Sequence, residues 1–189
     1  MPRKPDAELE ERILNAAYSL WGKKGEKSLT MRAVARAAAT TTPTVYQRFR
    51  DKGDLLVLLR ARAMEKLVKV LQPAETPVDT CRRFLEYAAL HPHEYRLLTA
   101  DWGAKLSRPE PKPTFELIKK RLAEELGGAP KDHVRLAMAL GALLHGTAMM
   151  ILADGVHEHV SRELRGICNE ACETLIGCAA KKQRVRRSG

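Results

Sequence analysis

Apolar residues recur every three or four positions along most of the chain, and this spacing predicts an all-helical protein. The first such face contains Leu9, Ile13, Ala17, Leu20 and Trp21 and stops at Gly25. No segment shows the alternation of a β-strand, and no internal repeat is visible. The pattern predicts about nine helices, four short ones followed by five longer ones.

Polar residues mark where the next three helices begin. Thr30, Thr41 and Asp51 each precede an apolar-periodic segment and are good N-cap residues. The second helix would bury Met31, Val34, Ala35 and Ala38, and the third would contain Val45, Tyr46 and Phe49. The fourth ends at Gln72-Pro73, so we place a domain boundary near residue 71 and expect an N-terminal domain of residues 1–71.

The remainder predicts a second helical domain, residues 72–180, followed by a tail. Pro109, Pro111 and Pro113 exclude a continuous helix over residues 103–114, where we expect a loop. The tail, residues 181–189, has no apolar face and is expected to be disordered and solvated.

Residues 30–49 predict a helix-turn-helix, in which the second helix would enter the major groove of DNA. Small residues on the first helix, such as Ala38, let the second pack closely through Val45 and Phe49. Thr42 and Thr44 would then face outward, where a threonine can bond a phosphate or a base edge. The alternative is that two short helices pack here for structural reasons alone.

The charge distribution is compatible with a polyanionic partner such as DNA, and a basic surface that only aids solubility explains it equally well. The formal net charge is +10 in 189 residues, but residues 1–70 carry 15 Lys/Arg against 8 Asp/Glu, or +7. Residues 71–180 carry 13 against 15, and the tail carries 5 basic residues and no acidic one. A basic N-terminal third suits a polyanion, whereas the near-neutral middle suits packing or a small molecule. With no apolar run at the N-terminus, we expect no secretory signal and a cytoplasmic location.

The stretch from Ile13 to Leu59 resembles the DNA-binding domain of the tetracycline-repressor (TetR) family of bacterial transcriptional regulators. The matching positions hold a fixed register over about 50 residues: Ile13-Leu14-Asn15-Ala16-Ala17, Trp21, Gly25, Leu29-Thr30-Met31-Arg32, Val34-Ala35, Ala37-Ala38, Thr44-Val45-Tyr46, Phe49, Lys52 and Leu55-Leu56. Further along, His91-Pro92-His93-Glu94-Tyr95-Arg96-Leu97-Leu98 and Ala142-Leu143-Leu144-His145-Gly146 are similar to family segments, more weakly.

The resemblance implies a homodimeric repressor that binds a palindromic operator in double-stranded DNA and releases it when an unidentified small molecule binds. It implies that Thr30 caps the second helix near a phosphate, that Tyr46 and Lys52 bind phosphates, and that Thr42, Pro43 and Thr44 face the bases. With weaker candidates included, the DNA-binding set is Thr30, Arg32, Thr41, Thr42, Pro43, Thr44, Tyr46, Gln47, Arg48 and Lys52.

Three positions depart from the family pattern. Ala39 stands where the turn usually has glycine, and Thr40 where an apolar residue follows. An alanine in the left-handed conformation costs about 1 kcal/mol, so the turn is either strained or shaped differently. Gly53 replaces a usual acidic residue, so the fourth helix is expected to begin less firmly.

The C-terminal half offers a dimer interface and an effector cavity. Residues 136–153 form an 18-residue stretch without charge, which we interpret as a dimer-core helix and not as a membrane span. The family resemblance implies that the dimer interface comprises the last two helices, about residues 130–153 and 156–180. An apolar cavity would be lined by Tyr87, His91, Tyr95, Trp102 and Met149, although ordinary core filling is the favoured interpretation for any single one of them.

Other chemistry has little support. His91-x-His93 and His157-x-His159 invite a metal, but histidines two apart on a helix diverge, so no metal or other cofactor is expected. Cys168 and Cys172 share a helix face and are interpreted as buried structural thiols, not as an oxidant sensor. Two alternatives to the regulator stay open here: a non-specific architectural DNA-binding protein and, less favoured, a helical metal-dependent enzyme.

Overall fold

The computed structural model describes residues 7–100 and 112–188, with side chains up to Gln183 in the last helix. Within these ranges the chain forms nine α-helices, two short 3₁₀ helices and no strand, which confirms the all-α prediction. The α-helices are α1 (Ala7–Lys24), α2 (Met31–Ala37), α3 (Thr42–Tyr46), α4 (Lys52–Leu71), α5 (Pro77–Leu90), α6 (Pro92–Thr99), α7 (Pro113–Leu126), α8 (Val134–Ile151) and α9 (Glu158–Ser188). The 3₁₀ helices are Glu26–Ser28 and Pro130–His133.

The chain divides into two compact units. The N-terminal unit contains the described residues up to Glu65 together with α6. The C-terminal unit contains the end of α4 from Lys66, then α5, α7, α8 and α9. The division therefore falls inside α4 and not at its end near residue 71, and α6 groups with the DNA-binding motif.

The core of the N-terminal unit is built from the predicted apolar faces of its helices. Its buried side chains include Ile13, Ala17, Trp21, Leu29, Val34, Val45, Phe49, Leu55 and Leu59. The indole Nε1 of Trp21 donates to the carbonyl of His93 at 2.7 Å, which fixes α6 against α1. On the surface of this unit, Arg62 on α4 pairs with Glu11 and donates to Asn15 on α1.

In the C-terminal unit, α5, α8 and α9 pack against one another around Leu85, Ala88, Leu140, Ala148 and Cys172, all of which are buried. Arg121 on α7 donates to the carbonyl of Gln72 at the end of α4, at 2.9 Å.

The outer faces of α8 and α9 are left uncovered by the chain. Met138 and Met149 on α8 are 60% and 49% exposed, and Ile167 on α9 is 56% exposed. The apolar seam of α9 predicted from the sequence is nowhere buried; it comprises Val160, Leu164, Ile167, Ala171, Leu175 and Cys178. Within the described residues, Pro130–Ile151 is the one stretch long and apolar enough to cross a membrane, and only 33% of it is buried. An apolar helix of a soluble core or interface passes the same test, so this is weak support for a membrane span.

Three local predictions are wrong. The tail expected to be disordered continues α9 as far as Ser188. The sequence predicts Phe49 inside the third helix, but α3 ends at Tyr46 and Phe49 comes after the turn that follows. The long helix expected to start at Ala129-Pro130 begins with the 3₁₀ turn Pro130–His133 before α8.

Candidate nucleic-acid interface

The turn between α2 and α3 keeps the geometry for which glycine is usually required. The amide of Thr40 donates to the carbonyl of Ala35 at 2.9 Å, and that of Ala39 to the carbonyl of Arg36 at 3.2 Å. This pair of bonds is the Schellman pattern, whose central residue adopts a left-handed conformation. Ala39 has φ 50°, the one non-glycine residue with positive φ in the described ranges. The sequence left open a strained turn or a turn of different shape, and these observations show that the turn keeps its shape and is strained.

Replacing Ala39 by glycine is expected to stabilise the protein. The left-handed conformation costs an alanine about 1–2 kcal/mol, against about 0.4–1 kcal/mol for the greater freedom of glycine when unfolded. We expect a net gain of about 0.5–1 kcal/mol, or about 1–4 °C in the midpoint of thermal unfolding followed by circular dichroism. The control is Ala61→Gly on the exposed face of α4, which should lower the midpoint. A lowered midpoint for Ala39→Gly as well would contradict the strain.

Hydroxyl groups fix the start of both helices of the motif. Thr30 caps α2, because its Oγ1 accepts from the amide of Ala33 at 3.1 Å. Thr41 caps α3 in the same way, accepting from the amide of Thr44 at 3.3 Å. The hydroxyls of Thr41 and Thr44 also lie 2.7 Å apart in a hydrogen bond on the exposed surface. The predicted roles of Thr30 and Thr41 as caps are confirmed.

The first turn of α3 therefore presents a short polar edge. Thr42 and Thr44 are half-buried, whereas Thr41 and Pro43 are exposed. Val45 on the opposite side is fully buried against the core, which anchors the helix and turns this edge outward. An edge of this kind, carrying hydroxyl and methyl groups at a helix N-terminus, can reach base edges in a major groove.

The other predicted DNA-binding residues of the motif differ in how much of their side chains is exposed to solvent. Tyr46 is 52% exposed, and Gln47 and Arg32 are also exposed. Arg48 is half-buried, and its Nε is buried with no hydrogen-bond partner among the described residues. Tyr46, Gln47 and Arg32 are thus accessible to DNA as they stand, whereas the Nε of Arg48 is enclosed by protein.

The start of α4 is firmer than the glycine at position 53 suggested. The carboxylate of Asp51 accepts from the amides of Gly53 and Asp54 at 2.6 and 3.1 Å. Asp54 in turn accepts from the Arg50 side chain at two points, both 3.1 Å, and these bonds hold the pKa of Asp54 below its usual value. A Cβ at position 53 would lie 2.8 Å from the Asp51 carboxylate. Gly53 thus leaves room for the cap, and the expected weakening is wrong.

Lys52, predicted to bind a phosphate, already has an acidic partner. Its Nζ lies 3.2 Å from Oε1 of Glu26 in the 3₁₀ turn after α1. Both side chains are substantially exposed, so the pair is weak and a phosphate can replace the carboxylate. Sequence reasoning missed Glu26, because no spacing rule connects residues 26 positions apart.

The five predicted effector residues are not brought together within either unit. Tyr87 is buried in the C-terminal unit, whereas His91 and Tyr95 belong to the N-terminal unit, where burial raises the pKa of Tyr95. Met149 lies on the uncovered face of α8, and Trp102 falls outside the described residues. The effector cavity therefore stays a prediction.

A cleft of about 480 Å³ opens in the C-terminal unit where α5 begins, and none of the five effector residues lines it. Its polar lining comprises Glu75, Thr76, Asp79, Arg82, Arg83, Asn169 and Glu173. Asp79 is already bonded to Arg83 and Arg82, which lowers its pKa, so these three charges are satisfied by one another.

The cysteines form a buried hydrogen-bonded group and not a reactive one. Hydrogen bonding to Cys172 and burial both raise the pKa of Cys168. A hydrogen bond from Cys168 lowers the pKa of Cys172, but bonding to Cys81 and burial outweigh it and raise the value to about 12. Thiols that stay protonated are poor nucleophiles, which supports the interpretation of these cysteines as structural.

The thiols are accordingly expected to resist modification in the folded protein. Cys81, Cys168 and Cys172 are buried, and Cys178 alone of the four is exposed. In a Cys178→Ser variant, we expect no reaction with a disulfide reagent at pH 8 until denaturant is added, when three thiols per chain react. Fast reaction of any thiol in the native variant would contradict this.

The histidine pairs provide no metal site among the described residues. His157 and His159 stack with ring centroids 5.8 Å apart, and no group of three or more His, Cys, Asp or Glu able to hold an ion occurs in those ranges.

The N-terminal and C-terminal parts of the chain match two different protein-family models. Residues 13–59 match the family model described as bacterial regulatory proteins, tetR family. Residues 78–175, more than half of the chain, match the tetracyclin repressor-like C-terminal domain. A comparison with curated protein sequences finds no match.

Solved structures show the same fold over almost the whole chain. TetR from Acinetobacter baumannii AYE is 19% identical, with a TM-score of 0.63, covering 90% of this chain and 96% of that one. A TetR family member from Streptomyces coelicolor A3 is 23% identical, with a TM-score of 0.59, covering 89% and 98%. A TetR-like regulator from Rhodococcus sp. RHA1 is 20% identical, with a TM-score of 0.55, covering 92% and 96%.

With a strained but intact helix-turn-helix in one unit and a matching C-terminal domain in the other, the chain belongs to the TetR family of bacterial regulatory proteins and is a DNA-binding transcriptional regulator, not an enzyme.

Proposed function

We propose that the chain is a homodimeric repressor that reads a palindromic operator through α3 and releases it when a small molecule binds to the C-terminal unit. The observation that carries the DNA-reading part is the outward polar edge of α3. Thr42, Pro43 and Thr44 form this edge, while Val45 behind them is fully buried. Tyr46, exposed at the end of the same helix, and Lys52 at the start of α4 would bind phosphates on either side.

Homodimer formation is supported by the uncovered faces of α8 and α9. Met138, Ala142, His145 and Met149 follow one another at helical spacing on α8, and none of them is buried within the chain. His145 is half-buried, and the partial loss of solvent lowers its pKa, so the imidazole adds no charge to this face at neutral pH. Together with the seam of α9, these residues provide the apolar surface that a two-helix interface requires. A second copy would bury it and place two recognition helices on one side of a duplex.

Release by an effector requires that the ligand bind two conformations of the dimer with different affinity. The family relationship supports a small molecule as that ligand. A bacterial repressor of this kind would work in the cytoplasm, where the chromosome lies.

The experiment that tests the proposal is selection of random duplex DNA by the purified protein. A twofold-symmetric sequence with half-sites about 34–36 Å apart, or a multiple of this, would support a dimer that reads DNA. Recovery of DNA without any common sequence would favour the alternative, a non-specific architectural protein that binds through the +7 charge of residues 1–70.

A further inference from the structure

Arg12 on α1 reaches across to the turn of the helix-turn-helix. Its Nε donates to the carbonyl of Ala38 at 3.3 Å, joining residues 26 positions apart. Ala38 is the C-cap of α2, and its side chain is buried. Carbonyls at the C-terminus of a helix lack a donor within that helix, so this bond supplies one from a neighbouring helix.

The bond lies beside the strained residue. Ala39 follows Ala38 directly and holds the left-handed φ of 50° that directs the chain from α2 into α3. A conformation of this kind persists only when surrounding contacts determine it. The Schellman bonds of Ala39 and Thr40 provide two such contacts within the turn, and Arg12 provides one from outside it.

We propose that Arg12 is a positioning residue for α3, which sets the orientation of the recognition helix by holding the turn at Ala38, and so contributes to operator discrimination. The inference rests on the proposed reading of DNA by α3. Hydrogen bonds to base edges depend on the orientation of the helix that carries them, whereas phosphate contacts through long side chains tolerate small displacements. Loss of the Arg12 bond should therefore weaken binding to the operator more than binding to random DNA.

The charge of Arg12 and its hydrogen bond can be separated by substitution. Arg12→Lys keeps the positive charge but replaces the planar guanidinium by a single ammonium on a different stem, so the Nε bond is lost. Arg36→Lys is the matched control, because Arg36 is exposed in the last turn of α2 and shows no side-chain hydrogen bond among the described residues.

The first readout is the ratio of dissociation constants for a scrambled duplex and for the duplex obtained by selection. Arg12→Lys is expected to lower this ratio about fivefold, a factor in the range for one intramolecular hydrogen bond, and Arg36→Lys to leave it unchanged. Affinity for the scrambled duplex should stay within about twofold in both variants, because both keep their charge. An unchanged ratio in Arg12→Lys would overturn the proposal, as would an equal fall in Arg36→Lys.

The second readout needs no operator. Hydrogen exchange at the amides of Ala39 and Thr40 should rise about fivefold in Arg12→Lys relative to amides in the middle of α4. Exchange that rises equally everywhere, or not at all, would mean that Arg12 has no specific hold on the turn. Failure of the proposed function can be told apart from failure of the Arg12 proposal. If the protein does not read DNA, the wild-type protein selects no common sequence, but the faster exchange at Ala39 and Thr40 in Arg12→Lys is still observed.

Discussion

Replacing Ala142 by arginine is expected to separate the homodimer into monomers and to lower operator affinity by at least about 100-fold. Ala142 lies in the exposed row of α8 between Met138 and Met149. In the proposed interface, an arginine here would be buried against apolar surface without a partner, which costs several kcal/mol. A monomer keeps one recognition helix and loses the gain from binding two linked half-sites.

Analytical ultracentrifugation measures whether the dimer has separated into monomers. Fluorescence anisotropy with the selected duplex measures the loss of operator affinity. The control is Glu125→Arg on the exposed surface of α7, outside the exposed apolar rows of α8 and α9, which should stay dimeric and bind the operator. A dimeric Ala142→Arg protein would show that the interface lies elsewhere.

The double substitution Thr42→Ala/Thr44→Ala is expected to lower operator affinity at least about 30-fold and to leave affinity for scrambled DNA nearly unchanged. Each lost base contact costs about 1–3 kcal/mol, and the positive charge that provides non-specific affinity is untouched. The fold of α3 should survive, because the Thr41 cap bonds the backbone amide of residue 44 and Val45 still anchors the helix.

Tyr46→Phe is the matched control for this prediction, since it removes one exposed hydroxyl assigned to a phosphate. It should weaken binding to both duplexes by a similar factor of about ten, as the loss of one hydrogen bond to an ionised phosphate implies. If the threonine substitutions weaken binding to the selected and the scrambled duplex equally, Thr42 and Thr44 do not contact the bases.

Local chemistry made much of the N-terminal unit predictable from sequence. Thr30, Thr41 and Asp51 are the caps that their types and positions indicate, because capping depends on residues two or three positions apart. The departure at Ala39 left a strained turn and a reshaped turn open, and the positive φ of Ala39 decides for the strained turn.

Contacts between distant parts of the chain could not be predicted in this way. The bonds of Arg12 to Ala38, of Trp21 to His93 and of Lys52 to Glu26 join residues at least 26 positions apart. Their existence depends on how helices pack, which periodicity does not encode. The grouping of α6 with the N-terminal unit has the same origin.

The predicted effector set shows the limit most clearly. Aromatic residues and a histidine near one another in the sequence suggested one cavity, but a helical pattern alone does not say which unit a helix joins. Tyr87 and Tyr95 are only eight positions apart, yet they lie in different units on either side of the break at His91-Pro92.

The measurement that tests the central claim most directly is the ratio of dissociation constants for scrambled and selected duplexes at about 0.05 and 0.2 M salt. A sequence-reading dimer should bind the selected duplex at least about 1,000-fold more tightly at the higher salt, with two chains per duplex. A ratio near one, with binding to both duplexes collapsing as salt rises, would mean that positive charge acts alone and would contradict the assignment of α3 as an operator-reading helix.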